Sequence, residues 1–272
     1  MTFVPFTFIY GRMRTEQIRA LKEALAKPSL EDREIRIPTG IAEVDASLHG
    51  GLLRGGLHEV FAQPGHETTA TGFAAGLAAR VANGKPVLWI RQDFAGLEFG
   101  EIAATGLLEL GIDPSKFLVL RVAHAEDALR AASDALTCGA LGAVTMEVVG
   151  EHKVLDLKAS RRLTLGAAET KVTAFLLRFN AMPDASSAET RWQVRAARSD
   201  PDNDNWGMPR FAAELLRNRR GRTGHWVMEW NCDDAIFREG GREPADRGAV
   251  VSTPFDRPAA AAMESEDRRA FA

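Results

Sequence analysis

The feature that most constrains this chain is a regular alternation of short apolar runs with longer segments of helical period. Segments 68–81, 101–110, 126–136 and 156–169 place apolar residues three and four positions apart, which is typical of amphipathic helices. The runs around them are apolar at consecutive positions, which predicts strands covered on both faces. These runs are 58–62, 87–90, 117–122, 143–149 and 172–177. The sequence therefore predicts an α/β fold with a mostly parallel sheet flanked by helices.

Beyond Pro183 the pattern changes to alternating apolar and polar residues. Segments 192–197, 214–217 and 225–230 predict half-exposed strands, and the arginine-rich residues 217–223 between the last two predict a hairpin with a basic turn. Trp226, Met228 and Trp230 share one face by the period of two, and we expect that face to belong to the core. We therefore expect an antiparallel C-terminal extension of the sheet.

The two ends of the chain differ in composition from its middle. We assign residues 1–34 to an N-terminal extension with one helix that begins at Thr15, and residues 35–232 to the main domain. From Asp233 onward the composition is Ala, Pro, Gly and mixed charge, which predicts a disordered tail over residues 233–272.

Charge and cysteine content narrow the function classes. A net charge of -3 excludes a globally basic DNA-coating protein but leaves a local basic patch open. The two cysteines, Cys138 and Cys232, are too few for a disulfide framework or a metal cluster, and we expect no metal site. No apolar run reaches the roughly 18 residues of a membrane helix. We therefore expect a soluble cytoplasmic protein that does not contact a membrane.

The turn between the first strand and its helix stands where a P-loop lies in such sheets. A P-loop reads G-x-x-x-x-G-K-[ST]: its glycines expose backbone N–H groups to phosphate, its lysine contacts phosphate oxygens, and its hydroxyl holds Mg²⁺. Here the stretch runs from Ala62 to Thr69, with Gly65 in its middle. Glu67 stands at the second glycine and Thr68 at the lysine, while Thr69 keeps the hydroxyl. Because a carboxylate repels phosphate, we expect no cofactor, neither ATP nor Mg²⁺.

Several segments resemble known proteins. The run IPTG, the glycine-rich LHGGLLRGGLHEVFA, a threonine-bearing helix and the strand GKPVLWI follow one another as in the opening of the RecA core. The segments RWQV (191–194) and ELLRNRRG (214–221) are more specific and are similar to the ImuA family. Members of that family are RecA-like proteins encoded with ImuB and an error-prone polymerase in bacterial mutagenesis cassettes. The resemblance covers roughly residues 35–232.

The resemblance also assigns two acidic positions. The residue that polarises the attacking water in RecA proteins corresponds to Asp93, and the carboxylate at the end of the Walker B strand corresponds to Glu147. Both are still acidic, so the resemblance implies that these positions could supply a general base and a metal-associated carboxylate. Without the lysine we interpret them as relics of a catalytic site, and we expect no catalytic residue.

Arginines cluster in the C-terminal extension and are the best candidate contact surface. Guanidinium groups pair bidentately with phosphate or carboxylate, so the cluster predicts binding to DNA or to an acidic partner. A solvated charged turn is the alternative. The candidate residues are Arg191, Arg195, Arg217, Arg219, Arg220 and Arg222.

Three functions fit these observations. The first, which the resemblance implies, is a non-catalytic accessory protein of damage-induced (SOS) mutagenesis and translesion synthesis. Such a protein would bind ImuB, RecA, the error-prone polymerase assembly and single-stranded DNA. The second is a DNA-stimulated ATPase with an atypical P-loop, favoured by Asp93 and Glu147 and opposed by Glu67 and the missing lysine. The third is an inhibitor of cell division similar to SulA, which shares a degenerate RecA-like core; the basic hairpin and RWQV favour the first.

Overall fold

A nine-stranded sheet organises the protein. The computed structural model describes residues 34–199 and 207–241. The sheet has the order β11-β10-β9-β8-β3-β7-β6-β4-β5. Its parallel strands are β3 (Leu57–Ala62), β4 (Val87–Gln92), β5 (Phe117–Val122), β6 (Ala143–Val149), β7 (Thr173–Phe179) and β8 (Thr190–Ala196). The antiparallel strands are β9 (Arg210–Asn218), β10 (Gly224–Asn231) and β11 (Ile236–Glu239). The predicted α/β fold with an antiparallel C-terminal extension is confirmed.

Helices cover both faces of the parallel part. The helices are α1 (Ala42–Ser47), α2 (Glu67–Ala82), α3 (Asp93–Phe99), α4 (Ala104–Glu109), α5 (Ala125–Ala135) and α6 (Leu157–Thr170). A short ribbon, β1 (Arg36–Ile37) with β2 (Leu52–Leu53), precedes β3. Helix α2 packs on one face within the larger apolar core, and α5 and α6 pack on the other face within a second core. Both faces of the central strands β3, β6 and β7 are therefore buried, as their continuous apolar runs predict.

Aromatic residues join the parallel and antiparallel parts into one core. The Phe73 ring of α2 lies 5.9 Å from Trp192 of β8, 5.5 Å from Phe211 of β9 and 5.4 Å from Phe237 of β11, centroid to centroid. Aromatic pairs at this spacing stabilise beyond their burial alone. Met228 and Trp230 are buried on β10, and Trp226 contacts Trp192 at 6.1 Å. The alternating strand 225–230 therefore turns its aromatic face to the core, as predicted.

The structure corrects three expectations and adds a helix. Strand β5 is at the edge of the sheet, and its residues Leu118, Val119 and Leu120 are 40–52% exposed, so this apolar run is not covered on both faces. Helix α4 is shorter than predicted, because Gly100 ends α3 and residues 101–103 are not helical. Helix α3 was not predicted. The boundary at residue 232 was too early, because β11 pairs with β10 and buries Phe237.

Two sequence predictions lie outside the described residues. These are the helix from Thr15 and the tail beyond residue 241. Within the described part, no helix is both long and apolar enough to cross a membrane.

Candidate functional site

The loop at the P-loop position joins β3 to α2 and is held on β8. Gln63 N donates to the Val194 carbonyl at 3.1 Å, and Ala196 N donates to His66 Nδ1 at 3.2 Å. Gly65 has a φ of 83°, which favours glycine, and a side chain there would meet no atom within 4 Å. The loop therefore has the strand–turn–helix context of a phosphate site.

The side chain of Glu67 turns back into this loop. Glu67 begins α2, is buried, and accepts a hydrogen bond from Gly65 N to its Oε1 at 3.2 Å. The N–H that would otherwise face an anion already has a carboxylate partner within the chain. Thr68 is exposed and Thr69 half-buried in the same first turn. The loop thus carries its own negative charge where a phosphate site needs N–H donors and a cation.

Glu147 lies on the face of the sheet that packs against the larger core, and both of its carboxylate oxygens accept hydrogen bonds. Trp89 Nε1 donates to Oε2 and Arg91 Nε donates to Oε1, each at 2.8 Å, and the side chain has no exposed surface. Burial raises the pKa of Glu147, while the charge of Arg91 and the two hydrogen bonds act in the opposite direction. Each carboxylate oxygen therefore has a hydrogen-bond donor within the fold, and neither is exposed to solvent.

Asp93 is the first residue of α3 and is half-exposed. Arg121 Nε pairs with Asp93 Oδ1 at 2.9 Å, and Arg121 Nη1 pairs with Glu101 Oε1 at 3.0 Å. Glu101 in turn lies 3.8 Å from Arg91 Nη1. We call this series, from Glu147 through Arg91, Glu101 and Arg121 to Asp93, the ion-pair chain. It joins the two acidic positions through arginines, and residues 34–199 and 207–241 contain no group of three or more His, Cys, Asp or Glu arranged to hold a metal.

The structure separates the six candidate arginines by what they contact. Arg191 is buried, and its Nε pairs with Glu59 Oε2 at 2.7 Å beneath the Phe61 ring. Arg195 is half-buried and donates to the Ala196 carbonyl at 3.3 Å. Arg217 donates to the Ser186 carbonyl at 2.6 Å. These three guanidinium groups are engaged within the fold.

The turn between β9 and β10, residues 219–223, carries the remaining three arginines. Arg220 pairs with Glu34 and lies 3.7 Å from Glu189. Arg219 and Arg222 are exposed, and within the described residues their side chains make no hydrogen bond or ion pair. We call Arg219 and Arg222 the open arginines.

The turn itself is fixed to the body of the protein. Asn218 Nδ2 donates to the Ser47 carbonyl at 2.8 Å and to the Arg222 carbonyl at 3.1 Å. A side chain at Gly221 would overlap Ser47 O, so only glycine allows this approach to the end of α1. The open arginines are therefore presented from an anchored turn.

Sequence reasoning missed Arg91, Glu101 and Arg121. A signal was present: Arg91 directly follows the apolar run 87–90, and Glu147 is a single charge within the apolar run 143–149. A buried charge requires a partner, so an arginine and a glutamate in neighbouring strands predict a pair. The strand order that makes them neighbours was not readable from the sequence.

The fold and the loop define a class: an α/β protein with a mostly parallel sheet, in which the loop between β3 and α2 contains no lysine and leads into a buried carboxylate, Glu67. No family model matches the chain. Protein ImuA from two strains of Caulobacter vibrioides is 30% identical over 199 residues, which cover 66% of this chain and 77% of the relative. The chain belongs to the ImuA family, as the RWQV and ELLRNRRG segments indicated. Membership supports an accessory role in damage-induced mutagenesis.

Proposed function

We propose that the protein is a non-catalytic accessory factor of damage-induced translesion synthesis, which binds ImuB, RecA and single-stranded DNA and does not hydrolyse ATP. The observation that carries the proposal is the hydrogen bond between Glu67 and Gly65 N, which places a carboxylate within the loop. Membership of the ImuA family supports the role in damage-induced mutagenesis. The two surfaces described below support binding to protein partners and to DNA.

The state of the acidic positions supports the absence of catalysis. Metal-assisted phosphoryl transfer needs a carboxylate that faces the metal and a base that reaches water. Glu147 is fully buried with both oxygens occupied, and Asp93 is paired with Arg121. In this arrangement the charge of each carboxylate is paired with an arginine of the fold.

Strand β5 supports binding to a protein partner. It has one unpaired edge, since β4 is its only neighbour in the sheet among the described strands. Leu118, Val119 and Leu120 are exposed there, on both faces of the sheet. Unpaired strand edges bind extended segments of other chains, and exposed apolar side chains beside them add buried area. We propose this edge as the surface for ImuB or RecA.

The open arginines support binding to DNA. Two exposed guanidinium groups on an anchored turn provide phosphate contacts without prior rearrangement. Contacts of this kind are independent of base sequence and weaken with salt. A net charge of -3 for the whole chain restricts such binding to a local surface.

The first experiment tests the loop. Equilibrium binding of Mg²⁺-ATP and release of phosphate are measured for the native protein and for the double variant Glu67→Gly/Thr68→Lys, which restores the second glycine and the lysine. We expect no turnover by the native protein and tighter ATP binding by the variant. ATP hydrolysis by the native protein that is lost on Asp93→Ala would establish the ATPase alternative instead.

The second experiment tests the β5 edge. Binding to purified ImuB and to RecA is measured for the native protein and for Leu118→Lys/Leu120→Lys. The matched control is Leu165→Lys, which changes a leucine that is 71% exposed on α6. We expect loss of partner binding for the β5 variant alone. Equal binding by all three proteins would exclude the edge, and binding to the division GTPase without ImuB or RecA binding would favour the SulA-like function.

A further inference from the structure

A cavity of about 190 Å³ lies beside the loop, between α2, β4 and the segment that contains α4. Its walls are mainly apolar, with Trp89, Phe99, Leu107, Leu110 and Phe117 along them. Cavities of similar size hold a single aromatic ring. The cavity does not include the open arginines or the exposed residues Leu118, Val119 and Leu120 of β5, so it is separate from the surfaces proposed above.

One end of this cavity is polar. Arg91, Glu101, Thr68 and Thr71 line it. Arg91 is 3% exposed, its Nε donates to Glu147, and its Nη2 donates to the Ala95 carbonyl at 3.2 Å. Its Nη1 is buried without a hydrogen-bond partner. A buried donor without an acceptor is unfavourable, so an acceptor supplied by a ligand is favoured here.

Glu101 is the nearest carboxylate to that donor but does not satisfy it. Its Oε2 lies 3.8 Å from Arg91 Nη1, beyond hydrogen-bond length, while its Oε1 is bound to Arg121 at 3.0 Å. The Glu101 side chain is 52% exposed, so a ligand that reaches Nη1 has to displace this carboxylate only towards solvent, while its pair with Arg121 is kept or broken at the protein surface.

The charges around this end select against an anion. Two guanidinium groups, Arg91 and Arg121, face three carboxylates, those of Glu147, Glu101 and Asp93. A carboxylate or phosphate would add a fourth negative group to this set. A neutral acceptor oxygen takes the hydrogen bond without that repulsion.

We propose that this cavity binds a neutral amphipathic ligand, whose apolar body fills the space between α2 and α4 and whose carbonyl-type oxygen accepts a hydrogen bond from Arg91 Nη1. Small aromatic amides combine an apolar body with a carbonyl oxygen, and so does an aromatic residue of a peptide with its backbone carbonyl. The inference is independent of the proposed function, since it requires neither a mutagenesis partner nor DNA.

The test is an NMR titration of the ¹⁵N-labelled full chain with three ring compounds of similar size. Benzamide carries the neutral acceptor, benzoate the anion, and toluene no acceptor. We expect benzamide to shift the Trp89 indole and Arg91 Nε signals and to bind about tenfold tighter than toluene, because toluene has no acceptor for the charged donor. N-acetylphenylalaninamide in a fourth titration distinguishes the sources: tighter binding than benzamide assigns the site to a peptide, and weaker binding to a small molecule.

A variant at Gly106 tests the location without disturbing the ion-pair chain. Gly106 lines the cavity, and a Cβ there meets no atom within 4 Å, so Gly106→Leu fills the space from α4. Gly139→Leu is the matched control, since Gly139 lies outside the cavity and also has open space around it. We expect Gly106→Leu to abolish benzamide binding and Gly139→Leu to leave it unchanged. Benzoate binding as tightly as benzamide, or binding that survives Gly106→Leu, would overturn the proposal.

Discussion

The two ends of the sheet use arginine in opposite ways. At the parallel end, Arg91 and Arg121 lie on the adjacent strands β4 and β5 and are bound to Glu147, Glu101 and Asp93. At the antiparallel end, the turn between β9 and β10 presents the open arginines to solvent. The same residue type is therefore a component of the fold at one end and an available cation at the other.

The surroundings of each arginine account for this difference. Arg91 is part of a strand in the core, where the loss of hydration makes an ion-pair or hydrogen-bond partner necessary. Arg219 and Arg222 lie in a turn, where water satisfies the guanidinium group and a partner is optional. The position of an arginine relative to the sheet, more than the local density of arginines, decides whether it is free to bind.

The largest expected effect is at Arg91. In Arg91→Met the Glu147 carboxylate remains buried without its counter-charge, and we expect the free energy of unfolding to fall by about 3–5 kcal/mol. Urea denaturation at neutral pH measures this. The matched control is Arg121→Met, whose guanidinium is 49% exposed and which should cost less than about 1 kcal/mol.

Equal losses of unfolding free energy for the two arginine variants would show that the buried pair of Arg91 and Glu147 does not stabilise the parallel end. If Arg91→Met does not fold, the double variant Arg91→Met/Glu147→Leu removes both charges and should recover a folded protein.

We expect the contact between β3 and β8, where the parallel strands approach the antiparallel ones, to be sensitive to pH through His58. This residue of β3 contacts Thr190 Oγ1 of β8 at 2.7 Å and the Leu53 carbonyl at 3.0 Å. Burial, with a smaller contribution from Arg36, lowers the pKa of His58 from 6.5 to about 4, although the bond to Leu53 opposes this. The unfolded chain therefore binds a proton between these values while the folded protein does not. Stability is full above pH 6.5 and falls as the pH drops towards 4.

We expect His58 to lower the free energy of unfolding by about 3 kcal/mol near pH 4. Denaturation of the native protein and of His58→Gln at pH 7.5 and at pH 4.5 isolates it, because the raised pKa of Glu147 acts with the opposite sign and is common to both proteins. Parallel pH profiles for the two proteins would contradict the prediction.

A smaller effect is expected at the antiparallel end. Arg219→Ala/Arg222→Ala should lower the affinity for a labelled single-stranded oligonucleotide by about tenfold at low salt and reduce the log–log salt slope by about 1.4. The fold should be unaffected. Arg161→Ala/Arg162→Ala on α6 removes the same charge from two other exposed arginines and is the matched control. Equal losses for both pairs would indicate a general charge effect and would remove the hairpin as a DNA site.

The smallest effect is expected at the edge of the parallel end. Leu120→Ala in β5 should cost less than about 1 kcal/mol, because the side chain is 40% exposed. The control Leu177→Ala empties a fully buried position in β7 and should cost about 2–5 kcal/mol. Thermal or chemical unfolding of both variants measures the contrast. A large loss for Leu120→Ala would mean that the β5 edge is covered in solution.

Much of the fold was predictable, because hydrophobic periodicity is a local property. The runs at β5 and β6 match the predicted ranges to the residue, and the termini of α2, α5 and α6 lie within one residue of the prediction. Strand β11 was missed, because its four residues carry too short a pattern to separate from a polar tail. The exposure of β5 was missed, because an apolar run does not state whether its strand is central or at an edge.

The sequence by itself determined that the loop lacks its lysine and carries Glu67, and that arginines crowd the last strands. It did not determine where those charges point. Three features depend on the folded chain. Glu67 accepts a hydrogen bond from Gly65 N, and Arg191 is paired with Glu59. Arg219 and Arg222 are exposed. The physical reason is that residue type and spacing are local, whereas a charge's partner depends on which strands become neighbours, and Glu59 and Arg191 are 132 positions apart along the chain.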